Sequence, residues 1–296
     1  MLTQMGGTDA SGKGGRMGDR RFRFGLMAGW ARDGAAWAAL ARRAEDLGYA
    51  TLLTPDTTGT ADPVASLAAA AGATDSLRVG TFVLSAATRP APMVAWQAAS
   101  LAFATGDRFE LGIGAGRPGG EADAELFGVP YGTAAERVRR VEAVMDAVAD
   151  PPAGLFAGTG RPPRVLVAAS RRRMLELAAR RAGTVAFGVP PLANDADLAP
   201  LVDIVRDAAG ERFDDLELCT QVHVVGDEVP EWLAPQLGAD GPAMASAGSI
   251  AMLTGTPSQM AGVLARRRDE LGVSYVSVSS AFAEQFAPVV ELLAGR

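Results

Sequence analysis

The sequence is almost devoid of cysteine, histidine and lysine. Its single cysteine, Cys219, has no partner for a disulfide within the chain. Its single histidine, His223, leaves too few ligands for a zinc site built in the usual way from cysteine and histidine. Lys13 is the only lysine among 28 basic residues, a bias typical of a GC-rich genome. An individual arginine is therefore a weaker indication of an anion site than usual.

Long apolar runs and an excess of positive charge are also missing. The formal net charge is −6 and the sequence pI is near 5.0, so we expect no nucleic-acid partner. The first ten residues, MLTQMGGTDA, contain no apolar signal core. The longest uncharged stretch, 241–265, is rich in Gly, Pro, Ser and Thr and is not a membrane span. We therefore expect a cytoplasmic protein that does not associate with membranes.

The chain is rich in short apolar runs that alternate with alanine-rich helical patterns. Residues 1–21 are glycine-rich without periodicity and are expected to form a flexible leader, whereas 22–296 are expected to form a single domain. Eight strand-like runs, each followed by a helix-like run, cover 22–28, 50–54, 77–85, 109–114, 164–168, 184–188, 216–225 and 275–279. This order predicts a (β/α)8 TIM barrel, although an open doubly wound sheet would give the same order of runs.

Three connections are longer than the usual four to six residues or so. Two of them, 115–133 and 226–256, follow strands, so they are expected as extended loops at the C-terminal face of a barrel, where catalytic loops lie. The third, 150–163, follows a helix and is expected on the opposite face. The loop 226–256 is expected to bound a wide substrate pocket together with Trp30, Thr57 and Arg117.

The most informative segment is 106–116, GDRFELGIGAG. A turn leads into a strand in which glycines alternate with bulky residues, and the strand ends in Gly114, Ala115 and Gly116. Glycine lets a backbone approach a bound ring or phosphate closely, so Gly114 and Ala115 are candidate cofactor contacts. The third glycine of a dinucleotide fingerprint is missing at the required spacing. A tight loop without a ligand is an equally good interpretation of this segment by itself.

This segment resembles the signature of the bacterial-luciferase-like superfamily, particularly its coenzyme F420-dependent oxidoreductase branch. Three further segments agree in order and spacing, and they are 41–56 (ARRAEDLGYATLLTPD), 73–84 (ATDSLRVGTFVL) and 255–278 (GTPSQMAGVLARRRDELGVSYVSV). The resemblance covers 22–296. It implies a TIM barrel that binds coenzyme F420, a deazaflavin, or alternatively FMN at its C-terminal face, commonly as a homodimer.

The resemblance also implies where the cofactor ring lies. Members of the superfamily often carry a bulge with a non-prolyl cis peptide in the third strand, and this bulge supports the flavin ring. The matching bond in this chain is Phe82–Val83. Without the resemblance, Phe82 would be interpreted as an ordinary core residue.

The turn after the fifth strand is the expected phosphate site. Relatives often have a Gly-Gly-Ser-like turn here, where this chain has Ala169 and Ser170 followed by Arg171, Arg172 and Arg173. The turn opens a helix, whose free N–H groups favour an anion, and Ser170 can cap the helix or donate. The arginines add charge-assisted donors. The alternative interpretation is a solvated basic start of a helix. Because alanines replace the glycines of the relatives, the backbone is expected to approach the phosphate less closely.

The candidate catalytic residues are Thr57, Arg117 and Trp30. Relatives commonly have a proton-handling histidine where Thr57 stands, and a threonine hydroxyl is no base near neutral pH. Alcohol- and sugar-oxidising relatives have a glutamate near Arg117. Asp56 is a candidate cofactor contact, with turn capping as its alternative role. Trp30 is expected to line the barrel mouth, as a substrate wall or as rim packing.

These departures predict a reductase that consumes reduced coenzyme F420. The expected substrate is an activated C=C or C=N bond in a bulky natural-product or peptide intermediate, as in secondary metabolism. Arg117 would polarise a conjugated carbonyl, or alternatively bind the cofactor tail or a loop carbonyl. The other functions that remain open are an FMN-dependent monooxygenase and a non-catalytic flavin-binding protein. Cys219 is expected as a buried thiol and His223 as a structural residue of the seventh strand.

Overall fold

The computed structural model describes residues 17–158 and 161–296. Within these ranges the strands are β1 (Arg23–Met27), β2 (Thr51–Thr54), β3 (Arg78–Thr81), β4 (Leu84–Ser85), β5 (Phe109–Gly114), β6 (Arg164–Ala169), β7 (Thr184–Phe187), β8 (Glu217–Val222), β9 (Val224–Val225), β10 (Met252–Leu253) and β11 (Val273–Ser279). The helices are α1 (Gly34–Asp46), α2 (Pro63–Gly72), α3 (Ala91–Ala104), α4 (Gly120–Leu126), α5 (Ala134–Ala149), α6 (Arg172–Arg181), α7 (Asp195–Ala209), α8 (Ala234–Leu237), α9 (Gly241–Ala247), α10 (Pro257–Leu271) and α11 (Ala283–Leu293).

Eight parallel strands close into a barrel. The hydrogen-bonded order is β3, β2, β1, β11, β8, β7, β6 and β5, and β5 pairs in turn with β3. Helices connect successive strands, so the chain is a (β/α)8 TIM barrel and the open sheet is excluded. The predicted run 77–85 forms two strands, β3 and β4, because the chain bulges between them at Phe82 and Val83.

The helices begin at side chains that satisfy free backbone N–H groups. Thr133 and Glu136 form a capping box at the start of α5, and Thr256 and Gln259 form another at α10. Asp33 and Asp62 cap α1 and α2 more simply, since each side chain accepts hydrogen bonds from N–H groups of the first turn. Polar residues just ahead of each apolar pattern therefore set where these helices begin.

An ionic cluster closes the N-terminal end of the barrel. Arg23, at the start of β1, donates to the carboxylates of Glu110 and Glu217, and its guanidinium lies 4.0 Å from the ring centroid of Tyr275. Arg78 donates to Glu110 as well. Burial would raise the pKa of Glu110, but the guanidinium groups of Arg23 and Arg78 outweigh it and hold that pKa below its ordinary value. Ion pairs between strands therefore close this end of the barrel, whereas the opposite end is open.

A small apolar cluster fills the middle of the barrel. Leu53, Leu166, Ala186, Cys219 and Tyr275 come from five different strands and lie apart from the main core between strands and helices. Cys219 is fully buried, as predicted, and burial raises the pKa of its thiol. The thiol therefore contributes to packing.

The expected boundary of the leader at residue 21 is wrong. Met17–Asp19 form a short 3-10 helix that packs against α10. Arg20 donates to the carbonyl oxygens of Leu216 and Phe213 and lies over the Phe213 ring. These contacts tie 17–21 to the base of the barrel. The rest of the predicted leader, 1–16, lies outside the described residues.

The long loops contain structure that the sequence patterns did not predict. The loop 115–133 includes α4, and 226–256 includes α8, α9 and β10. Strand β10 pairs in parallel with β9, which is the end of the predicted run 216–225. Both loops follow barrel strands, as expected. No helix within the described residues is long and apolar enough to cross a membrane.

Candidate active site

The bulge between β3 and β4 shapes the C-terminal end of the barrel. The Phe82–Val83 peptide bond is cis, as the resemblance predicted. Gly112 of the neighbouring strand gives the bulge its space, since a Cβ there would lie 1.9 Å from the carbonyl oxygen of Thr81. A Cβ on Gly114 would lie 2.9 Å from the side chain of Val83. The glycines of β5 are therefore fitted first to the protein's own bulge.

Hydrogen bonds lock the bulge to β5. The hydroxyl of Thr81 donates to the carbonyl oxygen of Gly112, at 2.7 Å, and accepts from its N–H, at 2.9 Å. Both residues are buried. These two side-chain hydrogen bonds take the place of backbone pairing between β3 and β5 at the point where the two strands separate.

The rest of the 106–116 motif is structural. Gly106 and Asp107 both have φ near +60°, which forms the turn between α3 and β5. Arg108 donates to the carbonyl oxygens of Ala71, Leu77 and Thr105, and so fastens this turn to α2 and its neighbour. Residues 106–108 therefore fix the position of β5.

A cavity of about 720 Å³ opens beside the bulge, at the carboxyl ends of β2, β4, β5, β6 and β7. This volume lies within the range of small-molecule sites. The lining residues are Pro55, Asp56, Thr57, Phe82, Val83, Leu84, Ser85, Gly114, Ala115, Gly116, Arg117, Pro118, Ala168, Ala169, Ser170, Arg171, Gly188, Val189, Pro190 and Leu201. The structure thus brings together ten of the predicted site residues, which are Asp56, Thr57, Phe82, Val83, Gly114, Ala115, Arg117, Ala169, Ser170 and Arg171.

The carboxylate of Asp56 is held in a buried ion pair. Arg89 donates to its two oxygens, at 2.8 and 2.9 Å, and the N–H of Ser85 donates to one of them at 3.0 Å. Arg89 also reaches Asp62 at the start of α2. These partners raise the pKa of Arg89, chiefly through its hydrogen bonds to Asp56. Asp56 therefore fastens the end of β2 to β4, instead of capping a turn.

Thr57 and Arg117 lie on two loops that border the cavity. The hydroxyl of Thr57 lies 3.4 Å from that of Thr60. Arg117 donates from Nη2 to the carboxylate of Asp123, at 2.7 Å, and half of its side chain is exposed. Thr58 donates to the other oxygen of Asp123, at 2.8 Å. Asp123 therefore joins the two loops across the mouth of the cavity.

The start of α6 forms the polar end of the cavity. Arg171 is the N-cap residue, and no side chain accepts from the first N–H groups of the helix. The expectation that Ser170 caps the helix is therefore not met, because the helix begins one residue later than Ser170 would require. Arg171 lines the cavity, whereas Arg172 is exposed and pairs with Glu176. Neither Arg172 nor Arg173 lines the cavity, because the turn of the helix carries both outside the lining. That they contact the cofactor phosphate stays a prediction.

Trp30 is 74% exposed and does not line the cavity, nor does any residue of the loop 226–256. That they bound the substrate pocket stays a prediction. The cavity lies toward β4–β7, away from the end of β1 that carries Trp30. His223 is also outside the lining, as expected of a structural residue, and burial lowers the pKa of its imidazole.

Four residues in or beside the cavity were not predicted from the sequence. Gly188 and Val189 follow β7 and could have been found by the rule that identified the end of β6, since the carboxyl ends of neighbouring parallel strands meet. Arg89 and Asp123 carried no such indication. One is an arginine in an arginine-rich sequence and the other lies in a short helix that was not predicted.

Comparison with known proteins agrees with this architecture. The family model described as luciferase-like monooxygenase matches residues 21–272. The chain is similar to the structure of coenzyme F420 dependent tetrahydromethanopterin reductase from Methanopyrus kandleri, with 17% identity, a TM-score of 0.70, and coverage of 93% of this chain and 99% of that one.

Two further solved structures share the fold. An F420-dependent secondary alcohol dehydrogenase in complex with an F420-acetone adduct has 16% identity and a TM-score of 0.70 over 93% of this chain and 98% of that one. Monooxygenase RslO1 from Streptomyces bottropensis has 21% identity and a TM-score of 0.67 over 91% and 97%. A comparison with curated protein sequences finds no match.

The chain is a (β/α)8 barrel with a cavity at the carboxyl ends of its strands. Because the family model covers most of the sequence, the chain belongs to the luciferase-like monooxygenase family. The predicted membership of the bacterial-luciferase-like superfamily is thereby confirmed.

Proposed function

We propose that the protein is a coenzyme F420-dependent oxidoreductase that reduces an electron-poor C=C or C=N bond in a bulky natural-product or peptide substrate. The observation that carries the direction of the reaction is the absence of a free base in the cavity. Among the residues that the structure describes, the ionisable side chains lining it are Asp56, Arg117 and Arg171. Asp56 is the only carboxylate among them, and its oxygens are taken by Arg89 and Ser85.

The residues of the cavity fit a phosphorylated flavin or deazaflavin. At one end, the uncapped N–H groups of α6 and the Arg171 side chain form a donor set suited to a phosphate. At the other end, Phe82 and Val83 present an apolar wall for a ring. Gly188 adds open space between them, since a Cβ there would meet no atom closer than 3.7 Å.

Oxidising an alcohol requires a base that takes the hydroxyl proton. Thr57 cannot serve as that base, and the imidazole of His223 lies outside the cavity. Reduction has no such requirement, because the substrate needs only a weak acid that supplies a proton. Water can supply this proton, and the Thr57 hydroxyl, which lies on the cavity wall, can relay it by taking a proton from water as it gives up its own.

A bound deazaflavin would supply the hydride. The task of Arg117 is then to stabilise the negative charge that develops on a conjugated carbonyl or imine nitrogen, a contribution of a few kcal/mol in a shielded site. The apolar lining, which includes Pro55, Leu84 and Leu201, orients the rest of the substrate and excludes water. Two of the structural relatives carry F420-dependent activity in their names, which supports the choice of cofactor.

A second candidate is FMN-dependent monooxygenation. The donor set at α6 suits the terminal phosphate of FMN as well as the phosphodiester of coenzyme F420. The family description and monooxygenase RslO1 also favour it. A non-catalytic flavin-binding protein is the third possibility, since the cavity holds no histidine.

The test is to titrate the purified protein with coenzyme F420 and with FMN, and then to follow oxidation of the reduced deazaflavin without oxygen. Candidate acceptors are an enone, an imine and a dehydroamino acid. We expect oxidation of the reduced deazaflavin by at least one acceptor. Turnover that appears only with reduced FMN and molecular oxygen would establish the monooxygenase instead. Cofactor binding without turnover in either assay would favour the non-catalytic protein.

We also propose a homodimer formed through α2 and α3. These two neighbouring helices contain no charged residue. The outer side of α2 presents small residues such as Ala65, Ala68 and Ala69, and that of α3 presents Trp96 and Phe103, all exposed. An exposed apolar surface of this kind is typical of a protein interface, and small residues let helices approach closely.

A further inference from the structure

Asp123 contacts both loops that carry the proposed reacting groups. Its carboxylate receives Nη2 of Arg117, at 2.7 Å, on one oxygen and the hydroxyl of Thr58, at 2.8 Å, on the other. Thr58 directly follows Thr57 in the sequence. Only 13% of the Asp123 side chain is exposed, compared with 50% of the Arg117 side chain. The contact therefore holds a half-exposed arginine against a mostly buried acid.

The backbone at Arg117 is fixed independently. The hydroxyl of Tyr131 donates to the carbonyl oxygen of Arg117, at 2.7 Å. Gly116 and Gly120 make room for this hydroxyl, because a Cβ would lie 2.6 Å from it at Gly116 and 2.9 Å at Gly120. With the backbone held by Tyr131, the guanidinium is oriented by Asp123 at Nη2, 2.7 Å away, and by a longer bond of 3.3 Å from Nη1 to the carbonyl oxygen of Pro118.

We propose that Asp123 is a positioning residue, which orients the Arg117 guanidinium over the cavity and fixes its separation from the Thr57–Thr58 segment. The role in catalysis rests on the proposed reduction. Long arginine side chains have many rotamers, and a carboxylate that binds one nitrogen removes most of them before substrate arrives. Asp123 also offsets the charge of Arg117, so that the mouth of the cavity does not bind anions indiscriminately.

The first experiment is a double-mutant cycle on turnover. It uses reduced coenzyme F420 and whichever of the candidate acceptors supports turnover by the wild type. Asp123→Ala is expected to lower kcat roughly 10- to 100-fold while the Kd of the cofactor changes less than about twofold. The double variant Asp123→Ala/Arg117→Ala is expected to be no slower than Arg117→Ala, because both changes remove the same interaction. Asp123→Asn, which keeps an oxygen acceptor, is expected to recover part of the loss. Thr58→Val removes only the loop contact and is expected to cost less than Asp123→Ala.

The second experiment needs neither cofactor nor turnover. Side-chain NMR of protein labelled with ¹⁵N-arginine reports restricted guanidinium rotation, and Arg117→Lys assigns the Arg117 signal. We expect restricted rotation in the wild type and free rotation in Asp123→Ala. The control is Asp146→Ala, which breaks an exposed 2.6 Å pair with Arg181 outside the cavity and should leave the Arg117 signal unchanged.

Two results would overturn the proposal. One is an Arg117 guanidinium that rotates equally freely with and without Asp123. The other is a cycle in which the losses of kcat in the two single variants add. If Asp123→Ala also binds the cofactor more weakly and has a lowered melting temperature, the residue is purely structural. If the reduction itself is not found, the NMR comparison still decides whether Asp123 restrains Arg117.

Discussion

Gly112 and Thr81 fit together so closely that no side chain can be placed between them. A Cβ on Gly112 would lie 1.9 Å from the carbonyl oxygen of Thr81, and 3.0 Å from the side chain of Val83. Since Val83 lines the cavity, the glycine sets the shape of the apolar wall. A residue far from solvent thus controls a surface that a ligand would contact.

Gly112→Ala is expected to destabilise the fold by about 1–3 kcal/mol or more, because overpacking a buried site forces the backbone to shift. Urea unfolding measures this cost, and a cofactor titration should show weaker binding. The matched control is Gly262→Ala in α10, where a Cβ meets no atom within 4 Å. That change is expected to stabilise the protein by about 0.5–1 kcal/mol, since alanine is the better helix former. Equal stability of the two variants would contradict the fitted contact.

Arg89→Ala is expected to cost about 3 kcal/mol, because it leaves the carboxylate of Asp56 buried without its partner. Both side chains are largely buried, with exposures of 13% and 10%. Arg89→Lys keeps the charge but loses the paired contacts to both oxygens, so a smaller loss is expected. Urea unfolding of the two variants beside Arg43→Ala, which breaks an exposed pair with Glu284, provides the comparison. If Arg89→Ala is no worse than Arg43→Ala, the buried pair does not hold β2 to β4.

The barrel could be predicted from the sequence because every barrel strand is a short apolar run between helical patterns. Residues such as Leu52 and Val79 are buried for the same reason that they form those runs. The short helices in the loops were missed, since α4 and α8 have only seven and four residues, too few for a helical period to appear.

The site could be predicted only where it follows directly from strand order. The residues after β2, β5 and β6 lie at one end of the barrel in any closed arrangement, which is why Thr57, Arg117 and Ser170 line one cavity. Which arginine of 171–173 faces inward depends on the residue at which α6 begins, and boundaries are poorly determined by sequence patterns. Trp30 lies outside the lining because the cavity lies off the barrel axis, on the side of the bulge.

Acid should weaken the fold partly through Glu45. Its carboxylate accepts from the N–H groups of Ser76 and Leu77 at the entry to β3, and these bonds, chiefly that from Ser76, lower its pKa from 4.5 to about 2. A carboxyl with a lowered pKa in the folded state stabilises the fold above pH 4.5, and this stabilisation is lost as the pH falls from there toward 2. Glu45→Gln should flatten that part of the stability profile.

The effect of Glu45 is expected to be at most about 1 kcal/mol, because the carboxylate lies near the surface. Thermal unfolding of the wild type and Glu45→Gln between pH 3 and pH 7 measures it. Glu291→Gln, on the exposed side of α11, is the control and should leave the shape of the profile unchanged. Parallel curves for wild type and Glu45→Gln would show that the N–H groups do not stabilise the ionised form.

Trp96→Arg is expected to dissociate the proposed dimer. It places a charge on the exposed, uncharged side of α3, where a partner would have to bury it unpaired. Light scattering after size-exclusion chromatography should give a dimer mass for the wild type and a monomer mass for the variant. Trp232→Arg changes an equally exposed tryptophan elsewhere and should leave the mass unchanged. A monomeric wild type would refute the interface.

Arg171 and Arg172 offer the sharpest test of where the cofactor phosphate binds. Arg171 lines the cavity at the uncapped start of α6, whereas Arg172 lies outside it and is paired with Glu176. A charge-assisted contact is worth about 1.5–3 kcal/mol, so Arg171→Ala should weaken cofactor binding roughly 10- to 100-fold. Arg172→Ala removes the same charge one residue away and should change the Kd less than about twofold. Fluorescence titration with coenzyme F420 and with FMN measures both. Equal losses would mean that only the general field of the arginines matters, and no loss in either variant would place the phosphate away from α6.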